Sequence, residues 1–282
     1  MADAAPLAAP KWADLGVRLV SAVVLIPAVI ADVWAGGIWF NLFVALLGVL
    51  MANEWVTICH RQDQRQFALH AAAAIAGALL PLEVGIWGSL AAIAVLWAMS
   101  AGFARYQDPA GAKWRYLGVP YVSLPAIALV LLRNDQVYGI AAIIWIMVTV
   151  WSADSLAYFA GRIIGGPKLA PVISPKKTWA GLGGAVVGSA LASLAFALIA
   201  GLPGLFLLAF LAGLLAIVEQ AGDLFKSAMK RHYGVKDSGR LIPGHGGVID
   251  RVDGLVAVAM AAALIGLTRG GMEATGAGLL VW

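Results

Sequence analysis

Asp223, Asp250 and Asp253 flank a strongly basic run, and this pairing of residue types is the feature of the chain best able to do chemistry. From Ser227 to Asp253 the order is SAMKRHYGVKDSGRLIPGHGGVIDRVD. Lys230, Arg231, Lys236 and Arg240 precede Pro243, a turn of Gly244, His245, Gly246 and Gly247 follows, and Asp250, Arg251 and Asp253 close the run. Three carboxylates make a hard oxygen set suited to Mg²⁺, which takes one or two carboxylates and completes its shell with water and substrate phosphates. Basic residues alone would repel such a cation. The two coexist when a polyphosphate lies between them, neutralising the lysines and sharing the metal. His245 is read two ways, as a phosphate ligand or as the residue around which the glycines let the turn close. It has no Cys or second His at zinc-ligand spacing.

A second polar stretch runs from Gly161 to Gly184 as GRIIGGPKLAPVISPKKTWAGLGG. Proline restrains such a loop and glycine lets backbone amides approach a ligand. Amides beside Lys176 and Lys177, with Ser174 and Thr178 close by, are suited to phosphate oxygens. The competing reading is that a basic loop next to a membrane only sets topology.

The elements that position these loops follow from composition. Hydrophobic residues make up 62% of the 282, charged residues 12%, and mean hydropathy is +0.89. Soluble globular chains are about 45–50% apolar, so an all-α integral membrane protein is expected. A spanning helix needs about 20 mostly apolar residues. Nine stretches qualify, at roughly 17–34, 38–57, 68–84, 86–104, 116–132, 138–160, 181–200, 203–222 and 252–268. The third and fourth are divided only by a short stretch around Glu83, and merging them would change the parity. With a cytoplasmic amino terminus, 17 of the 19 basic residues fall on the cytoplasmic side and only Arg133 and Arg269 fall outside, in agreement with the positive-inside rule.

The whole chain, 1–282, reads as one polytopic domain. It has a tail over about 1–16 and cytoplasmic active-site loops over 161–180 and 224–251. The first apolar stretch has no Ala-x-Ala cleavage site behind it and reads as a retained helix. The single Cys59 fits a reducing face. A net charge of +4 suits anionic lipid and anionic ligands. Nucleic acid is a poor partner, because the basic residues sit in short loops rather than on a compact binding domain. The tryptophans, including Trp34, Trp39, Trp55, Trp87 and Trp151, read as interface anchors or packing residues.

Carboxylates at membrane depth are costly and mark functional sites. Asp154, Tyr158 and Arg162 recur at i, i+4 and i+8 along one face of the sixth helix, and Glu219, Asp223, Lys226 and Lys230 share a face of the eighth. For Arg162, Lys226 and Lys230 the alternative is snorkelling into headgroups.

The 27 residues from Ser227 to Asp253 resemble the signature of the phosphatidate cytidylyltransferase family, the CDP-diacylglycerol synthases. The segments Asp154-Ser-Leu-Ala-Tyr-Phe-Ala-Gly-Arg162 and Ser174-Pro-Lys-Lys-Thr178 are similar to two further blocks of that family, and Arg18-Leu-Val-Ser-Ala is typical of its first helix. One position departs: Ala180 stands where the family usually carries an acidic residue, through natural variation or through a disabling change.

The resemblance implies transfer of CMP from CTP to phosphatidate in a bacterial inner membrane, with the site facing the cytoplasm, Mg²⁺ as cofactor and room for a second cation. A homodimer is one assembly it allows. Asp223 and Asp250 would hold Mg²⁺ against the CTP phosphates, with Asp253 or Asp154 beside them. Lys176, Lys177, Lys230 and Arg231 would offset charge on pyrophosphate, and Arg251 or Arg162 would meet the lipid phosphate. Ser174, Thr178, Lys226, His245, Gly246 and Gly247 complete the expected substrate contacts. A CTP-dependent lipid or polyprenol kinase would share the nucleotide, the metal and a lipid acceptor. A secondary transporter would place its charges near the bilayer midplane, in two related halves.

Overall fold

The computed structural model describes residues 23, 26–107, 112–239, 241 and 246–282. Backbone polar groups in lipid must be paired within their own segment, and the chain accordingly builds helices: α1 (Ile26–Ala35), α2 (Gly37–Cys59), α3 (Gln64–Leu79), α4 (Gly85–Gln107), α5 (Ala112–Arg133), α6 (Gly139–Ile163), α7 (Trp179–Ile199), α8 (Leu205–His232), α9 (Ile249–Gly270) and α10 (Thr275–Leu280). Seven of them, α2 and α4 to α9, are long and apolar enough to cross a membrane, and the chain is a multi-pass helical membrane protein. Each of the nine apolar stretches contains a helix. The third, α3, has only 16 residues. It stays separate from α4 across a turn at 81–84 that ends on Gly85, at φ 72°.

The expectation of an all-helical chain needs one correction. Within the stretch 161–180, β1 (Lys168–Ala170) and β2 (Ser174–Thr178) pair antiparallel, Lys168 opposite Thr178 and Ala170 opposite Ser174. Pro167, Pro171 and Pro175 cannot continue a helix, and Gly165 and Gly166, at φ 66° and 89°, turn the chain out of α6. The supposed loop 224–251 is also shorter than expected. Helix α8 continues to His232 and α9 starts at Ile249, so the loop proper lies between them. Neither His245 nor the tail 1–16 falls among the described residues.

Helices α6 and α7 pack closely because α7 turns small residues towards its neighbour. A Cβ on Gly184 would come within 2.6 Å of the Leu156 carbonyl oxygen, so the contact requires glycine there, as in small-residue packing of membrane helices. Two buried hydrogen bonds join the pair: Trp145 Nε1 donates to Ser193 Oγ at 2.8 Å, and Ser189 Oγ to the Thr149 carbonyl at 2.9 Å. Thr178 caps α7, its Oγ1 accepting from Gly181 N at 3.0 Å. The hairpin is thereby held between two locked helices. Trp55 and Trp145 are wholly buried, whereas Trp34, Trp39, Trp87 and Trp151 are exposed, in line with packing and interfacial roles.

Candidate active site

Helices α6, α8 and α9 bring their ionisable ends together at the same end of the molecule. Asp223 and Lys226, three apart on α8, form an ion pair at 3.1 Å. Lys177, at the foot of β2, reaches Asp223 Oδ2 at 2.6 Å and lies 3.4 Å from the Gln220 carbonyl. From the first turn of α9, Asp250 Oδ1 accepts from Lys230 Nζ at 2.5 Å and lies 3.6 Å from Lys226 Nζ. Asp253, one turn on, pairs with Lys226 as well. The ammonium of Lys226, whose side chain is 8% exposed, therefore stands at the centre of three carboxylates. A single cation already collects the three groups that the sequence marks as a hard oxygen set.

An open cavity of about 410 Å³ adjoins this cluster, bounded by α6, β2, α7 and α8. Asp154, Tyr158 and Arg162 line it from α6, Ser174, Lys176, Lys177 and Thr178 from the hairpin, and Asp223 from α8. Arg162 Nη1 donates to the Tyr158 hydroxyl at 2.5 Å. Thr178 lines the cavity from a buried position while committed to its cap. Arg231 rests against the hairpin turn, its Nε 3.4 Å from the Ile173 carbonyl. Arg251 lies on the exposed side of α9. Glu219 is buried against Gly254 and accepts from Gln220 Nε2 at 2.7 Å.

The structure also reveals a residue absent from the sequence-based candidates. Glu54 on α2, 5% exposed, accepts from Val248 N at 2.7 Å, Ile249 N at 2.9 Å and Ser238 Oγ at 2.8 Å. The first two are amides at the start of α9, where no intrahelical acceptor exists and a carboxylate also meets the positive end of the helix dipole. Ser238 in turn donates its N–H to Asp250 Oδ2 at 2.8 Å, and its hydroxyl lies 3.0 Å from the same oxygen. One serine thus ties Glu54 to Asp250. Gly247 and Gly239 press on Glu54 so closely that a Cβ on Gly239 would come within 2.7 Å of Oε1. Gly246, at φ 84°, makes the turn beside Asp250. The sequence signal for Glu54 was the one that marks Asp154, a carboxylate within an apolar stretch.

The residues fit a divalent cation in a particular way. Among the described residues no three carboxylate, imidazole or thiolate groups form a closed metal cage. One or two carboxylates with open positions for phosphate oxygens is the arrangement by which Mg²⁺ is held with nucleotides, and Asp223 and Asp250, whose oxygens here meet lysines, would be the carboxylates to supply it.

Fold and cluster define a class: a multi-pass helical membrane protein whose carboxylates and lysines are paired at one end of its helices, beside an open cavity. The chain belongs to the cytidylyltransferase family, whose profile it matches over residues 16–268. A protein of Brucella abortus named phosphatidate cytidylyltransferase is 41% identical over 255 residues, 90% of this chain and 93% of the relative. One of the same name from Pseudomonas aeruginosa is 37% identical, over 85% of this chain and 92% of the relative. Another, from Bacillus subtilis, is 42% identical over half of this chain.

Ala180 occupies the second position of α7 and does not line the cavity. A carboxylate there would act on the helix end, an effect of about 0.3–1 kcal/mol. Ala180→Glu should raise the unfolding temperature by about 1–3 °C and leave turnover within about twofold of the parent. A large gain in turnover would instead show that position 180 reaches the substrates.

Proposed function

We propose that this protein transfers CMP from CTP to phosphatidate, releasing pyrophosphate and forming CDP-diacylglycerol, at the cytoplasmic face of a bacterial inner membrane that it crosses nine times. The observation that carries the reading is the Lys226 centre, three carboxylates gathered on one cation beside a cavity lined by further cations. Family membership and the names of the relatives point the same way.

The reaction joins a phosphate oxygen of the lipid to the α-phosphorus of CTP and breaks the bond from that phosphorus to the α,β-bridging oxygen, which departs with pyrophosphate. The attacking oxygen is already ionised at neutral pH, so no protein nucleophile or strong base is needed. Positioning and charge stabilisation carry the catalysis, as in other phosphoryl transfers. Asp223 and Asp250 would hold Mg²⁺, with Asp253 and Asp154 beside them. When bound, that ion would supply positive charge to offset the charge developing on the phosphate oxygens. Lys177, Lys226 and Lys230 are placed to turn from carboxylates to phosphates, and Lys176 and Arg231 to receive pyrophosphate. Arg162, at the mouth of the cavity, and Arg251 are suited to the lipid headgroup. Exposed apolar side chains such as Phe206 and Phe210 on α8 and Leu191 and Leu198 on α7 would face membrane lipid.

The test uses protein in detergent–lipid micelles with phosphatidate and CTP labelled on either the α- or the γ-phosphate. Label should enter lipid only from the α position, and EDTA should stop the transfer until Mg²⁺ is restored. Label entering from the γ position would make the protein a kinase.

A further inference from the structure

Tyr121, on α5, is 9% exposed, and its hydroxyl is buried without a hydrogen-bond partner among the described residues. A buried donor in that condition carries its desolvation cost uncompensated and calls for an explanation. Its surroundings supply one. The ring packs against Trp55, with centroids 4.8 Å apart and planes at 32°, and against Phe225, at 5.8 Å and 23°. Trp55 follows Glu54 on α2, and Phe225 precedes Lys226 on α8. Ile249 and Val252, which flank Asp250 and Asp253, belong to the same packed cluster. The phenol therefore sits under the charged site, within electrostatic reach of Asp253, Asp250, Asp223 and Glu54, yet bonds to none of them.

Contacts with two aromatic rings, one on α2 and one on α8, restrict the ring independently of the helix backbone. That backbone is interrupted on either side. Pro125 leaves the Tyr121 carbonyl without its helical donor, and Pro120 does the same to Tyr116, whose carbonyl instead accepts from Trp97 Nε1 at 2.7 Å. A neutral donor held between packed helices, with no acceptor among the described residues, is suited to an acceptor that arrives with the substrates.

We propose that Tyr121 is a further catalytic residue, its hydroxyl donating a hydrogen bond to a phosphoryl oxygen held over Asp223, Asp250 and Asp253. The inference rests on the reading that CTP and phosphatidate meet at this cluster. It adds a donor to the lysines without adding charge. The acceptor oxygen belongs either to the nucleotide or to the lipid headgroup, and kinetics separate the two.

Tyr121→Phe removes one oxygen and keeps the stacked ring. In full-length protein in mixed micelles, with CTP varied at saturating phosphatidate and then the reverse, kcat/KM should fall on the order of 10- to 100-fold. The unfolding temperature should hold or rise, because the lost hydroxyl was unpaired. A rise confined to the KM for CTP places the acceptor on the nucleotide, and one confined to phosphatidate places it on the lipid. A fall in kcat alone places it on the α-phosphoryl group in transfer. Kinetics within threefold of the parent, or a loss matched by a lower unfolding temperature, would overturn the proposal. Absence of CMP transfer by the parent protein itself would instead defeat the function on which it rests.

Discussion

Asp250→Asn is expected to lower CMP transfer by at least about 10²–10³-fold, the loss seen when one charge-stabilising group is removed from a transition state, and Asp223→Asn to do the same. The geometry explains why an isosteric change should be so costly. Asp250 Oδ1 serves both Lys230 and Lys226, while Oδ2 is held by Ser238. Asparagine keeps one carbonyl oxygen but presents an NH₂ group on the other side and carries no charge. Either it faces a lysine donor to donor, or it turns and loses the Ser238 amide. Lys226 and Lys230 are then under-neutralised in a poorly hydrated place, and one ligand of the proposed cation is gone. Removing one member of a buried ion pair typically costs about 3–5 kcal/mol, and sharing among several partners lessens the loss here. Assays with α-labelled CTP, run beside thermal unfolding, check both effects. Activity of Asp250→Asn within tenfold of the parent would remove Asp250 from the reaction.

Glu54→Ala should be the most damaging change outside the charged cluster. It strips acceptors from Val248 N, Ile249 N and Ser238 Oγ. Hydrogen bonds to a charged acceptor contribute about 1.5–3 kcal/mol each, and the abandoned donors stay buried. A total loss of about 3 kcal/mol or more is expected after partial relaxation, and with it the register of α9 that aims Asp250 and Asp253. Turnover measured well below the unfolding temperature should fall at least about 100-fold, since misplacement by about 1 Å is enough for that. Glu54→Gln supplies one carbonyl oxygen for three donors and should fall between alanine and the parent in both measurements. Near-normal turnover in Glu54→Ala would show that the loop holds itself without α2.

The apolar runs made the helices legible, because a segment in lipid has few alternatives to pairing its own backbone. The end of α8 was less so. Hydropathy fades near 222, whereas DLFKSAMKRH continues the helix to His232 through good helix formers and the Asp223 to Lys226 pair. The β1–β2 hairpin is too short to leave an alternating pattern, and its prolines read first as loop. Within the site, residue types and spacing exposed Asp223, Asp250, Asp253 and the lysines. The convergence of three carboxylates on Lys226 depends on how α8 and α9 are juxtaposed, which no local pattern encodes. Glu54 lies 184 residues from Ser238 along the chain. A lone carboxylate in an apolar helix announces that it has a partner, but not which one.

Because Asp223, Asp250 and Asp253 are matched by Lys177, Lys226 and Lys230, the cluster behaves as a small salt lattice that is neutral within itself. Such a lattice has little to offer an ion that comes alone. A divalent cation entering between the carboxylates evicts ammonium groups that then repel it and each other. A free triphosphate drawing the ammonium groups away leaves three carboxylates facing it. Only a cargo bringing both signs together lets every group exchange one partner for another, so under the proposed function the cluster should favour the metal–nucleotide complex over either of its parts.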